Sequence, residues 1–204
     1  MAENKVKVNL IFIRHGETKG NLEKRYIGKT DESLCEEGRQ RILKLADGGK
    51  YPLTDFVFLS PMKRCRETCQ IIYPSCKMCV IEEFREIDFG LFENRSYKEL
   101  EDDINYIKWI KSNGELPFPD GEPRESFIDR CYTGFLKACD EINRSVREKI
   151  PVVAFVIHGG TIMAIMSKIC GKSYFDWQVK NGCGYVVEAV LKDGTIEVDK
   201  VEKL

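Results

Sequence analysis

The chain is poor in histidine: 204 residues contain two, His15 and His158. It also lacks an excess of charge of either sign, with 32 lysine plus arginine against 33 aspartate plus glutamate and a net charge of -1. No overall field is available to gather nucleic acid or an acidic membrane surface, so any anion site must be a local cluster. No apolar run is long enough to span a membrane. The opening MAENKVKVNL has no long apolar stretch of the secretory kind. With an odd cysteine count of nine, this predicts a cytoplasmic protein with reduced thiols. Internal repeats, low-complexity linkers and acidic clusters of a recognisable magnesium pattern are absent as well.

What is present suits a folded domain. A chain of this length buries a core without staples, and 43% apolar with 32% charged residues is a globular composition. We expect one domain over 1–204, with 87–124 as an inserted lid region. Two cysteine pairs, Cys65/Cys69 and Cys76/Cys79, have spacings that a zinc site uses. Cys131 and Cys139 lie too far apart to complete such a site, so the cysteines read as small buried hydrophobes instead.

Residues 5–13, KVKVNLIFI, alternate and then become fully apolar, as a central strand does. Residues 31–49 hold a helix with Leu34, Ile42, Leu43 and Ala46 on one face and Gly48-Gly49 at its end. DFVFL at 55–59 is a second strand. Ser60-Pro61 then reads as an N-cap with proline in the first turn of a helix. Residues 77–83 form a third strand. A helical piece over 97–112 and a Gly/Pro-rich loop over 113–125 follow. A long amphipathic helix begins at 125–126 and runs to about residue 147, with Phe127, Cys131, Phe135, Ala138 and Ile142 on one side. Residues 151–157 are a fourth strand ending on His158, and 159–170 a helix. Strands at 184–191 and 195–202 are joined by a hairpin-like turn at 192–194. Alternating strands and helices predict an α/β three-layer sandwich: a mostly parallel sheet, an antiparallel edge strand and the short lid insertion.

In open α/β sheets, ligands bind beyond the carboxyl ends of strands. The first strand ends on Arg14-His15-Gly16, the second is followed by Lys63, Arg64 and Arg66, and the fourth ends on His158-Gly159-Gly160-Thr161. Both scarce histidines therefore fall at strand ends, each followed by glycine, where core packing alone would not place them. Glycine allows close backbone approach and an unhindered N–H. The Gly-Gly-Thr run opens a helix whose first N–H groups favour an anion. Histidines, arginines and a helix start suit a small dianion, and a phosphomonoester is the natural candidate. Arginines would neutralise its oxygens by charge-assisted bonds, with no metal or cofactor.

These residues resemble the histidine phosphatase superfamily, in the branch of the cofactor-dependent phosphoglycerate mutases, over nearly the whole chain. RHGETKGN at 14–21 is similar to the family's Arg-His-Gly-Glu/Gln-Thr-x-x-Asn. GKTDESLCEEGRQR at 28–41, SPMKRCRET at 60–68, FREIDFGLFEN at 84–94 and IHGGTIMAI at 157–165 resemble its later motifs, in the same order. The resemblance implies that His15 is the nucleophile and forms a phosphohistidine. It implies that Arg14 and Arg64 clamp the phosphoryl oxygens and that His158 hydrogen-bonds the phosphoryl group. Glu86 would protonate the leaving oxygen and then activate water; Glu82 and Glu83 are rivals by charge alone, and Glu93 is a second candidate. Asn21, Thr18, Gly28 and Gly159 would contact substrate. The chemistry needs a neutral imidazole at pH 7, which its reference pKa of about 6.5 permits. It also needs an acid that becomes a base, hence a partly desolvated carboxyl.

Three positions depart from the family pattern: Cys35 for the usual threonine, Ile157 for a common serine, and Asn94 for glycine. None is a catalytic group. Mutases of this family have a larger insertion with adjacent arginines for the phosphoglycerate carboxylate. Here the insertion is short and acidic, with Arg124 and a few lysines. Its Tyr106, Trp109 and Phe118 either pack the insertion or flank a flat ring. The expectation is a phosphomonoesterase acting on a small phosphorylated metabolite, and α-ribazole 5′-phosphate suits the aromatic insertion. A phosphoglycerate mutase and a non-catalytic phosphate-binding relative are the alternatives, and a homodimer is admitted.

Overall fold

A computed structural model describes residues 5–145, 151–192 and 195–204. Strand β1 (Lys5–Arg14) leads into the short helix α1 (Lys19–Leu22) and then α2 (Glu36–Asp47). Strand β2 (Phe56–Leu59), α3 (Lys63–Ile72) and β3 (Met78–Val80) follow. After an irregular stretch come α4 (Ile104–Lys111), α5 (Arg124–Ser145), β4 (Val152–Ile157), α6 (Gly159–Cys170), β5 (Gly184–Lys192) and β6 (Thr195–Lys203). The six strands form one sheet in the order β3-β2-β4-β1-β5-β6. β1, β4, β2 and β3 are parallel, while β5 runs antiparallel to both β1 and β6. Among the described residues no helix is long and apolar enough to cross a membrane.

The period-two alternation of β1 and β4 divides two apolar layers. Leu10 and Phe12 of β1 and Phe155 of β4 face one side, under Phe127, Cys131, Phe135 and Ala138 of α5 and Ile162 and Ile165 of α6. Ile11, Ile13, Ala154 and Val156 face the other, against Cys65 and Cys69 of α3 and Tyr51. The expected apolar side of α5 is buried throughout. All nine cysteines are free thiols, and among the described residues no group of three or more potential ligands is placed to hold a metal ion.

Several elements differ from the sequence expectation. The third strand stops at Val80, and Glu82–Phe84 turns into a 3-10 helix instead of continuing the ladder. α2 begins only at Glu36, and Leu43 lies on its exposed side while Ile42 is buried. α3 starts at Lys63 with Met62 as its cap residue, so Ser60-Pro61 precede the helix and do not cap it. α4 covers only the second half of 97–112; the first half forms turns. The predicted end of the long helix at 147 and the turn residues 193–194 lie outside the described residues.

Register positions the site. Arg14 pairs with Ile157, and Leu59 with Val156. His15 N–H continues the ladder to Ile157 O at 2.9 Å, and Ser60 N–H to Val156 O at 3.2 Å. β2, β4 and β1 therefore end side by side, delivering Ser60, His158 and His15 to one edge.

Candidate active site

At that edge the two imidazoles meet with ring centroids 5.2 Å apart. His15 is 4% exposed and His158 fully buried. His15 Nδ1 lies 2.7 Å from Gly16 O. A carbonyl only accepts, so Nδ1 carries the proton and Nε2 keeps its lone pair. Burial, then the charges of Arg64 and Arg14, hold the His15 pKa well below the ordinary histidine value, so the ring is neutral at pH 7.

His158 has the opposite tautomer. Arg64 Nε donates to its Nδ1 at 3.2 Å, so Nε2 bears the proton and donates to Ser60 Oγ at 2.7 Å. Both ring nitrogens thus have protein partners, and a bond from neutral His158 to a phosphoryl oxygen requires the Ser60 bond to open. Arg64 is itself fully buried. Its Nη1 donates to Thr30 O at 2.7 Å and its Nη2 to Gly28 O at 2.9 Å. Three of the five guanidinium donors are so engaged, which fixes its plane.

Arg14 donates through Nη1 to Val179 O at 2.8 Å, and its buried Nε has no partner. Burial of its guanidinium lowers its pKa, with Glu86 opposing. Gly159 packs against the Arg14 side chain, where an added Cβ would lie 3.3 Å from Cζ. Glu86 Oε2 accepts from Gly160 N–H at 3.0 Å and Oε1 from Ile87 N–H at 3.1 Å. Burial raises its pKa, while those two N–H groups and the arginines pull it down. A Cβ at Gly160 would sit 2.3 Å from Glu86 Oε1, so glycine lets the carboxylate reach the Gly160 N–H in the first turn of α6.

The other expected contacts are placed behind these groups. Thr18 is fully buried and caps α1, accepting Asn21 N–H at 3.2 Å. Asn21 Oδ1 accepts from Thr18 N–H and from Asn181 Nδ2 at 3.0 Å, which leaves its own amide nitrogen as the donor. Gly28 gives its carbonyl to Arg64, and a Cβ there would meet Ile87 O at 1.9 Å. Gly16 N–H, expected to face a ligand, donates instead to Thr68 Oγ1 at 2.9 Å. Glu93, the second acid candidate, sits beneath the 28–30 loop. Its Oε1 accepts Gly28 N–H, Thr30 N–H and Thr30 Oγ1–H at 2.7–3.0 Å. It holds the loop that holds Arg64.

A cavity of about 270 Å³ opens from Arg14, Glu86, Gly159 and Gly160 and is walled by Tyr26, Phe89, Trp109, Phe118, Tyr174 and Phe175. Residues of the 87–124 segment thus supply part of the wall of this cavity, together with Tyr26, Tyr174 and Phe175. Of that segment's aromatics, Tyr106 is buried with Phe92 and Leu100, while Trp109 and Phe118, stacked at 5.1 Å, pack against that cluster and also line the cavity.

The family model of the histidine phosphatase superfamily (branch 1) matches residues 10–202. The chain belongs to this superfamily. A curated relative named probable phosphoglycerate mutase GpmB, from Escherichia coli O1:K1, is 28% identical over 169 residues, covering 80% of this chain and 75% of that one. A phosphoserine phosphatase from Entamoeba histolytica, solved in complex with phosphoserine, is 27% identical with a TM-score of 0.74 and covers 95% of this chain and 96% of that one. The α-ribazole phosphatase from Shigella flexneri shares the fold, with a TM-score of 0.76, 22% identity and 94% and 95% coverage.

Each departure from the superfamily pattern has a physical account. Cys35 caps α2: its Sγ accepts Gly38 N–H at 3.3 Å. Asn94 adopts φ 57° where the pattern has glycine, and asparagine is among the residues that tolerate the left-handed region. Ile157 is fully buried in the core. Two site residues went unread in the sequence. Ser60 lay inside a recognised motif but carried the signal of a helix cap. Asn181, whose Nδ2 donates to His15 O at 3.0 Å and Gly16 O at 3.3 Å, sits in a stretch with no pattern at all.

Proposed function

We propose that this chain is a metal-independent phosphomonoesterase that hydrolyses a small organic phosphate through a phosphohistidine at His15. The observation that carries it is the His15 imidazole, neutral and with its Nδ1–H bound to Gly16 O, so that Nε2 presents its lone pair. Nε2 attacks phosphorus and the bond to the ester oxygen breaks as Glu86 gives that oxygen a proton. Glu86 then removes a proton from water, the hydroxyl oxygen attacks the phosphohistidine, and phosphate leaves with His15 neutral again. Arg14 and Arg64 hold the phosphoryl oxygens, Asn21 and Gly159 N–H add to them, and the buried site strengthens each contact. The orphaned Arg14 Nε fits this role. The free thiols suit a reducing, cytoplasmic setting.

The phosphoserine phosphatase likeness supports hydrolysis; the name of the curated relative favours a mutase, the second reading. Hydrolysis is preferred because the described cavity wall offers Arg14 and Arg124 but no adjacent arginine pair. The aromatic wall accepts a flat body, and α-ribazole 5′-phosphate is one member of that class. An aryl phosphate should be turned over in EDTA, and His15→Ala should lower turnover on the order of 10³-fold or more. Activity that requires added magnesium would sink the proposal. A panel with 3-phosphoglycerate and α-ribazole 5′-phosphate, run with and without 2,3-bisphosphoglycerate, separates the readings: mutase turnover above hydrolysis would reverse the order.

A further inference from the structure

The connection between α6 and β5 reaches back over the catalytic end of β1. Val179 O accepts the Arg14 Nη1–H at 2.8 Å, and Gly182 N–H donates to Arg14 O at 2.9 Å. Between these two residues lies Asn181, 8% exposed. Its Nδ2 has three acceptors in reach: His15 O at 3.0 Å, Gly16 O at 3.3 Å and Asn21 Oδ1 at 3.0 Å. A position ringed by acceptors suits the amide nitrogen and not the amide oxygen. The turn is anchored from outside the site, since the Tyr51 hydroxyl donates to Gly182 O at 2.9 Å.

Each acceptor has a task in phosphoryl transfer. Gly16 O also takes the His15 Nδ1–H at 2.7 Å, so a swing of that carbonyl would loosen the proton that keeps the Nε2 lone pair free. Asn21 Oδ1 accepts from Asn181 and, at 3.3 Å, from Thr18 N–H. With both donors on its oxygen, Asn21 turns its own amide nitrogen toward a ligand. Without Asn181, one long bond from Thr18 would have to set that orientation.

We propose that Asn181 is a positioning residue for phosphoryl transfer: one buried amide holds the carbonyl that binds the nucleophile's proton and turns the Asn21 amide toward the phosphoryl group. It lies outside every motif that carries the family resemblance. The assignment rests on the phosphohistidine reading and adds to it the group that sets two of its members.

The test is calorimetric binding of inorganic phosphate to wild type, Asn181→Ala, Asn21→Ala and the double variant, each below its unfolding midpoint. Either single change should weaken binding about tenfold, the scale of one hydrogen bond to a charged group. The double variant should lose little more, because Asn181 reaches phosphate through Asn21; losses that multiply to about a hundredfold would overturn the assignment. Long-range proton–nitrogen NMR at pH 7 reads the nucleophile directly. Wild-type His15 should be a single Nδ1–H tautomer, and Asn181→Ala should mix in the Nε2–H form. A ring spectrum that Asn181→Ala leaves unchanged would also overturn the assignment. Should Asn181→Ala not fold, Asn181→Asp keeps the shape while removing the donor, and a wild-type His15 spectrum in that variant has the same force. If wild type hydrolyses no phosphomonoester, the hydrolase reading fails, while phosphate binding and the ring spectrum still decide on Asn181.

Discussion

His15 and His158 hold their protons on opposite nitrogens, and their neighbours decide which. The Gly16 carbonyl takes the His15 Nδ1–H, and Arg64 Nε supplies a donor to His158 Nδ1. The first ring therefore presents a lone pair, while the second braces a buried guanidinium. Glu86 completes the group as a carboxyl whose pKa burial pushes upward while the Gly160 and Ile87 N–H groups pull it down, and the proposed mechanism has it give the leaving oxygen its proton. Glu86→Gln should thus depend on the leaving group. With an alkyl phosphate, whose leaving oxygen needs a proton, kcat should fall about 10²-fold or more. With nitrophenyl phosphate, whose phenolate leaves unaided, the loss in the phosphorylation step should be far smaller. Burst kinetics on the two substrates check this, and equal losses in that step would remove Glu86 from the acid role.

At the scale of the element, three parallel strands end in register because a row of aromatics locks them. Phe12 pairs with Phe155 across β1 and β4, and Phe58 pairs with Phe155 across β2 and β4. The rings stack at 4.9 and 5.5 Å, and all three are buried under α5 or beside it. Such pairs add to the burial of each ring. Phe155→Ala should cost about 3–5 kcal/mol, read as a lower midpoint in urea unfolding. The same row carries the chain ends at Ser60, His158 and His15, so this variant should also lose activity below its unfolding midpoint. Full stability in Phe155→Ala would show that the row does not set the register.

For the whole molecule, burying two neutral histidines links stability to pH. Both have pKa values lowered by burial and by arginine charge. Below about 6.5, the unfolded chain binds protons at these sites that the folded chain refuses, so stability falls as pH drops through that window. Glu86 acts in the other direction: its raised pKa lets the folded state hold a proton longer, and its contribution is lost as pH rises through that value. The Tm should therefore decline between pH 7.5 and 5.5, and His15→Gln should flatten that decline by removing one of the two histidine terms. An unchanged slope in His15→Gln would mean that His15 is not held neutral by the fold.

The local patterns in the chain were enough to read the α/β class, the central strands and the placing of Arg14, His15, Arg64 and His158 at strand ends, while Glu86 was legible only through the resemblance to the family's motif. Period-two apolar runs and short motifs are properties of neighbouring residues, and they survive in one dimension. The end of β3, the start of α3 and the extent of α4 were not legible there, because packing overrode local propensity. Nor were the partners of the site. Ser60 looked like a cap because serine before proline favours one; strand register aims it at His158, 98 residues away. Asn181 binds the His15 carbonyl across 166 residues, and Glu93 serves Arg64 only through the 28–30 loop. The sequence by itself determined which chemical groups the protein owns and which strands carry them. The tertiary structure alone decided their tautomers and their partners, because those depend on which backbone carbonyls and hydroxyls the register brings within hydrogen-bond reach.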